Sequence, residues 1–184
     1  MRFLSFCTCA LALFNSFASV QAEEAKVEKV SVFNAGELVV PADFKRVQPQ
    51  SRILEHEFQA KAGDGDDAAT ARLTMMGAGG DVAANIQRWK GQFVGGDPAK
   101  QKVEEMKLGD WKVHLVDVSG SYAERTGGGP FAGGKVVNRK DYAMAGAILV
   151  HPEGRKYFLK LIGPGKVVKA NREAFVKMIK SLDD

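Results

Sequence analysis

The stretch Tyr142-Ala143-Met144-Ala145-Gly146-Ala147-Ile148-Leu149-Val150, followed by His151-Pro152-Glu153-Gly154-Arg155 and then Lys156-Tyr157-Phe158-Leu159-Lys160-Leu161-Ile162, decides the fold. Two apolar runs of strand length flank a short cluster of turn residues, the pattern of a β-hairpin. Gly163-Pro164-Gly165 then breaks the sheet. From about Lys166 to Leu182 the spacing predicts a helix. Val168, Phe175, Met178, Ile179 and Leu182 share one stripe, and Lys166, Lys169, Arg172, Lys177 and Lys180 line the outer side.

Upstream, apolar residues alternate as they do in half-buried strands. Gly36–Val40 is a short strand ended by Pro41, and Phe44–Val47 is a candidate for the next. In Ile53–Ala60, Leu54, His56, Phe58 and Ala60 share one face, with Glu55 and Glu57 on the other. Gly63-Asp64-Gly65-Asp66-Asp67 is a turn, and Ala71–Ala78 is a further strand. Val82, Ile86, Trp89 and Phe93 then repeat at helical steps, with Asp81 placed to cap the helix. Val103–Leu108 and Trp111–Val118 are strands on either side of Gly109-Asp110. Residues 123–141 read as a glycine-rich loop containing Gly127-Gly128-Gly129-Pro130-Phe131 and carrying Arg125, Lys135, Arg139 and Lys140. Strands, helix, strands, helix is an α+β order: a central, mostly antiparallel sheet flanked by helices.

Residues 1–22 have the layout of a secretory signal peptide. Met1-Arg2 is a positive start, Phe3–Val20 is mostly apolar, and Val20-Gln21-Ala22 fits a cleavage site before Glu23-Glu24. Both cysteines, Cys7 and Cys9, lie inside it, too near the start for a lipoprotein signal. The segment is either cleaved or kept as an anchor. Cleavage leaves 162 of the 184 residues, with no Cys and therefore no disulfide. Such a body is one domain by length, here 33–184, preceded by a charged, flexible segment at 23–32. Without Arg2 the 26 Lys+Arg become 25 against 22 Asp+Glu, a net +3. That charge and the export signal argue against nucleic-acid binding. The reading places the protein in the periplasm or outside the cell.

No catalytic motif stands out. His56, His114 and Asp117 are the candidate cleft for a small ligand, a metal or acid–base chemistry. Their spacing lacks the short pairs that mark metal sites, so no metal is expected. Gly77-Ala78-Gly79-Gly80 before a helix is an incomplete phosphate fingerprint, since Val82 stands at the third glycine. No cofactor is expected either. Ser121 with His114 and Asp117 lie in one strand-like segment and cannot converge on a point. The loop, with Arg125, Phe131, Lys135, Arg139 and Lys140, is either a partner contact or simple disorder. Lys169, Arg172, Lys177 and Lys180 are either a solvated helix face or a contact for an anionic membrane surface or cell-wall polymer.

Phe33-Asn34-Ala35-Gly36, Val40-Pro41-x-x-Phe44, Tyr157 to Pro164 and Phe175-x-x-Met178-Ile179-Lys180-Ser181-Leu182 together resemble the PsbP/DcrB-like domains over roughly residues 33–182. The chain also resembles uncharacterised, signal-bearing proteins of planctomycete-type bacteria. The resemblance implies an α/β/α sandwich and a place in the cell envelope, with no ligand set that transfers residue by residue. The expected function is that of an exported, non-enzymatic domain that binds or helps assemble an envelope protein.

The signal has a direct check. Mass spectrometry of the protein recovered from outside the cytoplasm is expected to find Glu23 at its N-terminus. An intact Met1 there would instead show a retained anchor.

Overall fold

Tyr142–Ile162 forms the hairpin its sequence predicts and lies in the middle of a large antiparallel sheet. The computed structural model describes residues 27–63, 68–126 and 135–183. Its strands and α-helices run β1 (Glu28–Val32), β2 (Gly36–Val40), β3 (Lys45–Val47), β4 (His56–Lys61), β5 (Thr70–Ala78), α1 (Val82–Lys90), β6 (Phe93–Val94), β7 (Lys102–Leu108), β8 (Trp111–Thr126), β9 (Lys135–Val150), β10 (Lys156–Pro164) and α2 (Gly165–Lys180). The main sheet has the order β3-β4-β5-β10-β9-β8-β6, and β7 pairs with another part of β8. β1 and β2 form a separate hairpin.

Alternation along the central strands builds two unequal cores. On β10, Tyr157, Leu159 and Leu161 point to one face, with Leu73 and Met75 of β5, Ala147 and Leu149 of β9, and Val113 and Leu115 of β8. That face is covered by α2, through Val167, Val168, Phe175, Met178 and Ile179, and by the β1–β2 hairpin, through Val30, Val32, Leu38 and Val40. The opposite face carries Phe158, Met144, Ile148, Val116 and Val118, covered by Ile86 and Trp89 of α1 and by Phe93. Each large buried side chain contributes about 1.5–3 kcal/mol, so the sheet is driven into a dry layer from both sides.

α2 is tied to three strands by polar contacts as well as by packing. Asn171 Nδ2 donates to the Lys61 carbonyl at the end of β4 at 2.9 Å. Arg172 donates to both Asp117 oxygens on β8, at 2.6–3.0 Å. Just past α2, the Ser181 hydroxyl accepts from the Val39 N–H at 2.8 Å, which joins the chain's end to β2. The turn of the small hairpin places Phe33 and Asn34 in the left-handed region, at φ 56° and 55°. Asn tolerates that conformation and Phe does not. The Phe33 ring offsets the cost by stacking on Trp111 and meeting Tyr157 edge-on, at 6.3 and 5.6 Å.

Three expectations are corrected. Strands hold 54% of the described residues and helices 21%, the latter being two α-helices of 9 and 16 residues and two three-residue 3-10 turns. The chain is therefore mostly β, and the helix-flanked α/β/α sandwich does not describe it, because α1 is too short to form a layer. Second, the segment 23–32 was expected to be flexible, yet 28–32 are strand β1, with Val30 and Val32 buried. Third, the loop at 123–141 is largely two strands, because β8 and β9 continue their pairing to Thr126↔Lys135. Among the described residues, no helix is long and apolar enough to cross a membrane.

Gly146 tests the packing of α1. A Cβ there would lie 2.7 Å from Trp89 Cζ3 and 3.0 Å from Cε3, on a rigid ring wedged between sheet and helix. Gly146→Ala is expected to destabilise the fold by about 1–3 kcal/mol, the usual cost of overpacking, as read by urea denaturation.

Candidate functional site

The structure disperses the histidine cleft. In register, His56 aligns with Met75, Leu159, Ala147 and Leu115 across five strands. Four strand spacings, roughly 19 Å, therefore separate it from β8. His114 and Asp117 are three residues apart on β8, so they point to opposite faces. Each group already has local company. His56 Nδ1 is 3.1 Å from Arg46 Nη1, and burial, then the Arg46 charge, lowers its pKa. His114 Nδ1 is buried 3.2 Å from Glu105 Oε1, without the alignment of a hydrogen bond. Asp117 is taken by Arg172. Among the described residues, no group of three His, Cys, Asp or Glu side chains is arranged to hold a metal.

The expected loop residues stand on an arm. β10 pairs with β9 only as far as Pro164↔Tyr142. Beyond that point, Lys135–Asp141 have β8 as their neighbour, through Tyr122↔Arg139 to Thr126↔Lys135. The register slips between Gly120 and Tyr122, and Asp141 turns left-handed at φ 54°. An extra residue on one strand bends the ribbon away from the sheet. Arg125 stands opposite Val136, and Lys135, Arg139 and Lys140 lie on the returning strand. Arg139 Nε donates to Glu124 Oε2 at 2.8 Å across the ribbon. Val136 is 51% exposed. Phe131 lies outside the described residues.

The basic face of α2 loses one member. Arg172 turns toward Asp117 and Glu104 and is half-buried, whereas Lys169, Lys177 and Lys180 remain exposed.

A further cluster, which the sequence reading did not assemble, lies on the α1 side of the sheet. The register there runs Glu57–Thr74–Lys160–Gly146 across β4, β5, β10 and β9. Glu57 is buried and accepts from Arg72 Nε and Nη2 at 2.6 and 3.0 Å, and from the Gln50 N–H at 2.9 Å. Burial opposes its charge, but the Arg72 and Gln50 bonds outweigh it and lower its pKa. Lys160 Nζ donates to Gln92 Oε1 at 3.1 Å and sits 5.4 Å from the centre of the Trp89 ring. Arg88 reaches in from α1, held by Asn85 Oδ1. The signal that could have found this cluster is Lys160 itself, a cation in the middle of an otherwise apolar central strand. Glu57 carried a weaker one, since alternation already set it opposite His56.

A scan against models of known protein families finds no match for this chain, and neither does a search of curated proteins.

Glu57 gives a test with a worked sign. Its folded pKa lies below the ordinary 4.5, so its contribution is present above that value and lost as pH falls through the folded pKa. Glu57→Gln is expected to cost on the order of 2 kcal/mol at neutral pH, because Arg72 loses its charged partner. In paired denaturation curves, the gap between wild type and variant should close as pH falls below the ordinary 4.5.

Proposed function

We propose that this is an exported binding domain, with no chemistry of its own, that holds an envelope protein through the β8–β9 arm. The observation that carries the reading is the ribbon beyond Tyr142, where one edge of Val136–Asp141 has no partner strand among the described residues. A strand edge of this kind offers unpaired N–H and C=O groups to a partner's extended segment. The half-exposed Val136 supplies an apolar contact beside it, and Lys135 and Lys140 add positive charge, which favours an acidic partner segment. The register slip and the left-handed Asp141 support the reading, since a β-bulge, which bends a ribbon, stands at the root of this edge. Residues 1–22, with the Val20-Gln21-Ala22 site, support export.

The arm can be shortened without opening the sheet. Residues 123–138 replaced by Asn-Gly would join Tyr122 to Arg139, which already pair, by a two-residue hairpin turn. In crosslinking and mass spectrometry of intact cells, the shortened protein is expected to lose its envelope-protein crosslinks while remaining folded by circular dichroism. Crosslinks that survive the shortening would overturn the reading.

A further inference from the structure

The cluster around Lys160 surrounds a recess of about 250 Å³ on the sheet face beside α1. Its floor is Thr74 and Lys160, with Met76 and Phe158 one row away. Its walls are Arg72, Arg88, Trp89 and Gln92, and Leu54 closes one side. The charges do not cancel. Arg72 is neutralised by Glu57. Arg88 and Lys160 have only the neutral amides of Asn85 and Gln92, and among the described residues no carboxylate lies within ion-pair distance of either.

A half-buried ammonium without a counter-ion is costly to keep charged. Packing does not require the charge here, since a methionine of similar length would fill the same space. The surroundings are instead complementary to a ligand. Lys160 and Arg88 both line the recess, and of its apolar residues Leu54 and Met76 are part-exposed whereas Trp89 and Phe158 are buried. Gln92 gives Lys160 only a neutral acceptor, and an anion would hold the ammonium more strongly. A pocket with a few convergent polar groups on an apolar wall is the usual form of a small-molecule site.

We propose that this recess binds a small organic carboxylate, its carboxylate between Lys160 and Arg88 and its apolar body against Leu54 and Met76. The inference uses none of the arm's side chains, although the arm's base is close by, where the Ala123 N–H donates to the Gln92 carbonyl at 3.1 Å. Burial, then the Arg88 and Arg72 charges, lowers the Lys160 pKa to about 8. An anion placed beside it restores the charged form. The other charged groups facing Lys160 are Arg72 with its partner Glu57 and Arg88.

The test is calorimetric titration of the purified protein with benzoate, with acetate and inorganic phosphate as comparison anions. Benzoate is expected to saturate one site and to bind at least tenfold more tightly than acetate, because only benzoate can cover Leu54 and Met76. Lys160→Met and Arg88→Met are each expected to weaken benzoate by on the order of tenfold or more. Lys160→Met should melt no lower than wild type, since it removes an unpaired, half-buried charge. Arg88→Met, on the helix surface, keeps the test open should the strand variant fold poorly. Wild-type affinity should fall above about pH 8, where Lys160 loses its proton, while Lys160→Met should show no such fall. Three results would each overturn the proposal: no saturable benzoate binding, equal binding of acetate or tighter binding of phosphate, or benzoate affinity unchanged in both variants.

Discussion

The whole molecule depends on keeping both faces of β10 dry. It is the strand between β5 and β9, and it hands the chain directly to α2 at Gly165. Tyr157, Leu159 and Leu161 cannot be buried unless α2 folds back over them, and α2 has no side-chain cap at its start to stabilise it alone. Strand and helix are therefore stable only together, as expected where helical stability comes from an apolar face finding its sheet. The polar ties of Asn171, Arg172 and Ser181 to β4, β8 and β2 then set where the helix lies.

The two faces are covered unequally. One has a 16-residue helix and a β-hairpin, and the other has the nine-residue α1. The uncovered part of the second face must satisfy its polar groups by other means. Glu57 and Arg72 do so by pairing with each other. Lys160 relies on an amide and an aromatic ring, so it remains the residue on a central strand whose charge is least compensated. The same shortage of covering structure lets β8 and β9 run past the sheet, where the left-handed Asp141 and the register slip turn them into an arm.

Much of the fold is legible as local pattern. The β9–β10 hairpin, the Asp81 cap of α1 and the buried stripe of α2 appear where period and turn residues place them, but α1 ends at Lys90 and Phe93, expected on its stripe, lies on β6. The strand β1 is hidden because charged residues fill its exposed positions, and its burial comes only from packing with β2 beneath α2. The length of β8 and β9 is hidden for a related reason. Arg125, Lys135, Arg139 and Lys140 carry no alternating apolar signal, since a ribbon beyond the sheet has no core to face. The histidine cleft fails because nearness in sequence along strands says nothing about nearness across five of them.

By itself, the sequence determined the antiparallel order and the two amphipathic helices, because both are written in short-range periodicity and turn chemistry. Tertiary structure alone decided which charged residues meet. Glu57, Arg72, Arg88 and Lys160 come from three strands and a helix, and only the register of the sheet and the seat of Trp89 over Gly146 bring them to one recess. That register follows from burying two cores at once, a constraint shared by the whole sheet and visible in none of its strands alone.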